Sequence, residues 1–164
     1  MRTLYLIRHA KSSWDSPDLR DFDRPLNQRG LKDAAEMAEL FALKKIKPDL
    51  LVSSPANRAI STARFFARAF HLSADSIVPN AEIYEASPNT ILRLVGNLPD
   101  SAVIVLMFGH NPTFTDVANI FSRRHIDNIP TCGIVEIEST AESWKNMDED
   151  NSRVKSTYFP KELL

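Results

Sequence analysis

Val103-Ile104-Val105-Leu106-Met107-Phe108-Gly109-His110-Asn111-Pro112 is the stretch that decides how the chain is read. Six consecutive apolar residues, three of them β-branched, predict a strand covered on both faces, as in a parallel sheet layered with helices. Gly109 and Pro112 stop the run and leave His110 at its carboxyl end. Thr3-Leu4-Tyr5-Leu6-Ile7 reads the same way and ends at Arg8-His9. Leu50-Leu51-Val52-Ser53 is a third, shorter run, leading through Ser54-Pro55 into a helix that carries Arg58.

Helical segments alternate with these runs. Asn27 is placed to cap a helix whose apolar positions include Leu31, Ala34, Ala35, Ala38, Leu40 and Phe41, with Pro48 as its outer limit. Ser54-Pro55 opens a second, running to about Ala69, and Ser87-Pro88 a third, ending near Gly96. A fourth spans about Pro112 to Ser122. Ser76 to Pro79 reads as a short edge strand. Gly133 to Glu138 starts apolar and then alternates, which suits a strand nearer an edge, with Arg153 to Tyr158 as its hairpin partner. Residues 10–26, rich in Ser, Asp and Pro, read as a long polar loop. The expected fold is therefore a three-layer α/β/α sandwich with a mostly parallel central sheet and a C-terminal β-hairpin.

A chain of 164 residues can bury a substantial core, and one domain over residues 1–164 is expected. A formal net charge of -1 argues against wholesale nucleic-acid binding while leaving room for a local anion pocket. The first apolar stretch is too short for a signal peptide or a membrane span, so a cytoplasmic location and no membrane partner are expected. Cys132 is the only cysteine, which excludes an intrachain disulfide, and no Cys/His group has zinc-ligand spacing. No metal or organic cofactor is expected.

Ligands of open parallel sheets sit beyond the carboxyl ends of the strands. That rule gathers Arg8, His9, Arg58 and His110 from distant parts of the sequence. Arginine offers phosphate oxygens a fixed fork of donors and stays charged. A neutral imidazole can attack phosphorus while cationic neighbours stabilise the equatorial oxygens. Taken singly, each residue has an ordinary structural reading; their joint placement at successive strand ends points to phosphoryl chemistry.

Leu6-Ile7-Arg8-His9-Ala10 resembles the Arg-His-Gly motif of the histidine phosphatase superfamily, the phosphoglycerate-mutase-like fold. Ser53-Ser54-Pro55-Ala56-Asn57-Arg58-Ala59, with Thr62-Ala63, is similar to that family's second motif, and Gly109-His110-Asn111 to its second histidine motif. The resemblance implies that His9 becomes phosphohistidine and that Arg8, Arg58 and His110 hold the phosphoryl group. It implies Glu85 as proton donor, with Glu82 as runner-up and Asp15 and Asp18 as remoter candidates. Ala10 departs from the usual glycine. Arg24-Pro25-Leu26-Asn27-Gln28-Arg29-Gly30 also resembles the family segment entering the first helix, where Asn27 caps, Gly30 permits close packing and Arg24 is chiefly structural, with a reach to the pocket mouth as its alternative. Lys11 and Trp14 either contact substrate or order the loop. His71 and His125 read as surface residues, and Trp144 as a packing anchor.

The short chain leaves little room for a lid between residues 71 and 101, which likens it to the small SixA branch of phosphohistidine phosphatases. The implied partner is a phosphorylated substrate, such as a histidine-phosphorylated signalling protein, with phosphate or sulfate expected in the site. A small-molecule phosphomonoesterase acting on sugar or nucleotide phosphates is the alternative enzyme. A mutase needs a more enclosed site. A non-catalytic phosphate-recognition protein is the alternative from another class.

Overall fold

A computed structural model describes residues 1–164. Its six strands are β1 (Arg2–Arg8), β2 (Leu50–Ser53), β3 (Ile77–Pro79), β4 (Ile104–Gly109), β5 (Ile134–Ser139) and β6 (Ser152–Tyr158). They form one sheet in the order β3-β2-β4-β1-β5-β6. The first four are mutually parallel, whereas β5 runs antiparallel to β1 and β6 antiparallel to β5. The two runs that end in histidine, β1 and β4, are neighbours at the centre.

Five helices complete the fold: α1 (Gln28–Ala42), α2 (Asn57–Ala69), α3 (Pro88–Gly96), α4 (Thr113–Phe121) and the short α5 (Pro160–Leu163). Alternate residues of the central strands feed two cores, as the period of a strand requires. Leu4, Leu6, Val105, Met107, Val135 and Ile137 face α3 and α4, where Ile91, Val95, Phe114, Val117 and Phe121 meet them. Tyr5, Ile7, Leu106, Phe108 and Ile134 face Ala34, Met37 and Phe41 of α1 and Ala63 and Phe66 of α2. The three-layer sandwich with a mostly parallel sheet and a terminal antiparallel pair is as expected. Trp144, within the β5–β6 connection, is buried, and its indole N–H donates to the Ala102 carbonyl at 2.7 Å, the role of a packing anchor.

Several boundaries differ from the sequence reading, each for a local reason. The helix α1 stops at Ala42, well short of Pro48, and Lys45 takes a left-handed backbone (φ 58°) just beyond it. The helix α2 begins at Asn57 because the Ser54 hydroxyl accepts from the Ala56 amide, which keeps 54–56 outside the helix. Strand β5 lies one place in from the edge beside β6, as expected, and its buried Glu136 accepts the Tyr158 hydroxyl at 2.7 Å. No helix is long and apolar enough to cross a membrane.

Candidate active site

The β1–β4 register pairs Arg8 with Gly109, so the next residue on each strand is a histidine. The His9 amide donates to the Gly109 carbonyl at 3.0 Å, and the two imidazoles lie with ring centroids 5.3 Å apart. On the far side of β1, the Cys132 amide reaches the carbonyls of Arg8 and His9. Helix α2 is tied to the same corner: the Ala10 amide donates to Thr62 Oγ1 (2.9 Å), which donates to the Arg58 carbonyl (2.8 Å). Ala10 is fully buried against the α1–α2 side of the sheet, so its methyl is accommodated where the family motif has glycine.

The surroundings fix the protonation of His9. Its Nδ1 lies 2.7 Å from the Ala10 carbonyl, which can only accept, so Nδ1 carries the hydrogen and Nε2 keeps its lone pair. Burial, with the His110, Arg58 and Arg8 charges acting in the same direction, pushes the imidazole down to about 3. His110 is pushed down to about 4, first by burial and then by Arg58. Both rings are neutral at neutral pH, as a nitrogen nucleophile must be.

The arginines are anchored by part of their donor set. Arg8 Nη1 donates to the Ile129 carbonyl at 2.8 Å. Arg58 donates to the Asp21 carbonyl (2.7 Å) and to Asp21 Oδ2 (2.9 Å). Arg8 Nε, Arg58 Nε and His110 Nδ1 are buried with no hydrogen-bond partner within the protein. Buried polar atoms are nearly always satisfied, and although Arg2 Nε outside the cleft is unpartnered too, the two guanidinium Nε–H donors left over beside His9 suit an anion. No group of three or more His, Cys, Asp or Glu is arranged to hold a metal ion.

The cleft, about 520 Å³, is lined by Arg8, His9, Arg58 and His110 together with Lys11, Ser12, Trp14, Asp15, Arg24 and Thr131. A somewhat larger cleft of about 620 Å³ lies along β6 but holds neither His9 nor His110, so chemistry and not volume selects the site. The rim loop is held against α1 at Gly30, where a Cβ would come within 2.0 Å of the Lys11 carbonyl oxygen. Arg24 reaches the pocket mouth, the alternative to a purely structural role: it lines the cleft, donates to Ser12 Oγ (2.7 Å) and lies 3.5 Å under the exposed Trp14 ring. Asp21, which no motif singled out, binds Arg58, Arg24 and the Tyr84 hydroxyl together. Burial alone would raise its carboxyl, but the bonds from Tyr84 and Arg58 prevail and hold it at about 2.

His9, Arg8, Arg58 and His110 are thus brought together. Glu85 is not: it is exposed, has a left-handed backbone (φ 58°) and lies outside the lining of the cleft. Glu82 is turned away into an ion pair with Arg93. Asp15, on the exposed rim, is the one carboxylate lining the cleft, and Asp18 lies outside it. His71 and His125 also stand apart, the latter paired with Asp127 at 3.3 Å.

Comparison with known proteins identifies the family. Residues 4–86 match the model of the histidine phosphatase superfamily (branch 1). An uncharacterised chloroplastic protein of Arabidopsis thaliana is 31% identical over 88% of this chain and 69% of its own length. The solved structure of a phosphohistidine phosphatase SixA candidate from Agrobacterium tumefaciens superposes with a TM-score of 0.79 at 31% identity, covering 96% of this chain and 97% of that one. A protein histidine phosphatase SixA complexed with tungstate shares the fold, with a TM-score of 0.82 at 19% identity and 99% coverage of both chains.

Proposed function

The chain belongs to the histidine phosphatase superfamily, and on that premise we propose that it is a metal-independent phosphatase working through a phosphohistidine on His9. The observation that carries this reading is the His9 tautomer: Nδ1–H is committed to the Ala10 carbonyl, which leaves Nε2 as a neutral nucleophile beside Arg8, Arg58 and His110. In the first step Nε2 forms a bond to phosphorus as the bond to the leaving atom breaks, and that atom departs with the electron pair and takes up a proton. Water then attacks phosphorus, releases inorganic phosphate and returns His9 to its neutral form. The guanidinium groups supply the positive charge that a metal would otherwise bring to the equatorial oxygens.

A protein-borne phosphohistidine is the substrate favoured here. The likeness to the Agrobacterium SixA candidate runs nearly the length of both chains. Glu85 lies outside the cleft, so leaving-group protonation does not rest on it. A phosphohistidine tolerates that arrangement because the unphosphorylated nitrogen of its ring takes a proton from solvent and lets neutral imidazole depart, whereas an alkyl ester needs a placed acid. Turnover of a phosphorylated phosphotransfer domain, measured in chelator beside an aryl phosphate and a panel of sugar and nucleotide phosphates, tests both parts. Faster cleavage of the phosphoprotein, with acid-labile and base-stable phosphate trapped on His9, is expected. Preference for a metabolite would replace the substrate assignment, and label on another residue would refute the nucleophile.

A further inference from the structure

Ser54 is fully buried at the end of β2, and the phosphatase reading above gives it no part. Its hydroxyl oxygen lies 2.8 Å from His110 Nε2 and accepts the Ala56 amide at 3.2 Å. A serine hydroxyl has one hydrogen to give, and His110 Nε2 is the only acceptor within its reach. A neutral imidazole likewise has one N–H.

Two arrangements satisfy the distance. If Nε2 carries the hydrogen and donates to Ser54, the serine hydrogen and the His110 Nδ1 lone pair are both left buried without a partner. If Ser54 donates to Nε2, the hydrogen of the ring sits on Nδ1, and the only group left over is one buried N–H. The second leaves fewer unsatisfied groups, and unsatisfied buried polar groups are costly. Its leftover group is a donor, the polarity that a phosphoryl oxygen requires. Which nitrogen of a histidine carries the proton is set by the bond the other makes.

We propose that Ser54 is a positioning residue that holds His110 as its Nδ1–H tautomer, so that the ring offers a hydrogen-bond donor and not a lone pair to the phosphoryl oxygens bound beside His9. A lone pair in that place would repel the developing charge. The two histidines then carry the same tautomer for opposite ends. His9 holds its Nδ1 hydrogen against a carbonyl to free Nε2 for attack. His110 occupies its Nε2 with a hydroxyl to free Nδ1–H for binding. The proposal rests on the phosphatase reading for its purpose, but the tautomer itself is a property of the resting protein.

Nitrogen-15 NMR of the whole chain labelled at histidine, at pH 7.5 and without phosphate, reads the tautomer directly. His110, assigned by loss of its signals in His110→Asn, is expected to show a protonated Nδ1 and an unprotonated Nε2. In Ser54→Ala, where Nε2 loses its donor, the signals should move toward the Nε2–H form that free histidine prefers. Turnover of an aryl phosphate should fall about 10- to 100-fold, the usual cost of losing a group that orients a catalytic ligand. Ser54→Thr keeps the hydroxyl and should restore the Nδ1–H signature. An Nε2–H signature in the wild type, or an unchanged His110 tautomer in folded Ser54→Ala, would overturn the proposal. Absence of turnover in the wild type with the Nδ1–H signature present would instead overturn the phosphatase reading.

Discussion

Lowering the pH from 7 to 5 should destabilise this protein through the two histidines of the cleft. In the unfolded chain each imidazole titrates near 6.5. In the folded state burial and the neighbouring arginines hold His9 down to about 3 and His110 to about 4. Between those values the unfolded chain binds protons that the folded one refuses, so stability is complete above about pH 6.5 and declines as pH falls, levelling off only below the folded values. Each pH unit below 6.5 costs about 1.4 kcal/mol per group, or about 2 kcal/mol for each histidine at pH 5. Together that is on the order of 4 kcal/mol, a large share of the stability of a typical domain. Urea unfolding in phosphate-free buffer at the two pH values, for the wild type and for His9→Asn/His110→Asn, measures it. The wild type should lose several kcal/mol more than the double variant. Equal losses would mean that the rings titrate normally and would remove the argument for a neutral nucleophile well below pH 7. The window is separate from that of Asp21, whose carboxyl is held at about 2, so that its contribution is lost only as pH falls through its ordinary value near 4 toward that point.

Arg58→Lys should lower kcat/KM for an aryl phosphate by about 100-fold, because an ammonium cannot bind the Asp21 carbonyl and carboxylate as a fork while serving the cleft. Glu85→Gln, outside the cleft, should leave the same parameter essentially unchanged; a large loss would show that this carboxylate reaches the substrate. Thr62→Val strands the buried Ala10 amide and should cost about 1–3 kcal/mol by urea unfolding. Gly30→Ala forces a Cβ into the Lys11 carbonyl and should cost a similar amount, about 1–3 kcal/mol, with KM raised as the rim loop shifts.

Much of this was legible in the sequence because the governing patterns are local. The apolar runs ending at His9 and His110 gave the central strands, and the rule for parallel sheets placed four residues at one edge of the fold. Ser87 and Asn27 were readable as caps, and their side chains do accept the Thr90 and Gly30 amides. What escaped depends on contacts across the chain. Asp21 sat in a polar loop with no periodicity to mark it, yet it reaches Arg58 and Tyr84. Glu85 was judged by its place in the sequence, but a left-handed turn leaves it in solvent. Ser54 carried a signal in the serine pair before Pro55, though only the register of β2 against β4 shows what its hydroxyl meets.

The pairing of Arg8 with Gly109 also governs when the site comes into being. His9 and His110 are about a hundred residues apart in the sequence, and the bonds that back Arg8 and His9 come from Cys132 and Gly133 later still. Closing so long a loop is entropically demanding and belongs to the slower contacts of an α/β chain. The side chains of the cleft therefore cannot meet until β4 has been made and has paired with β1.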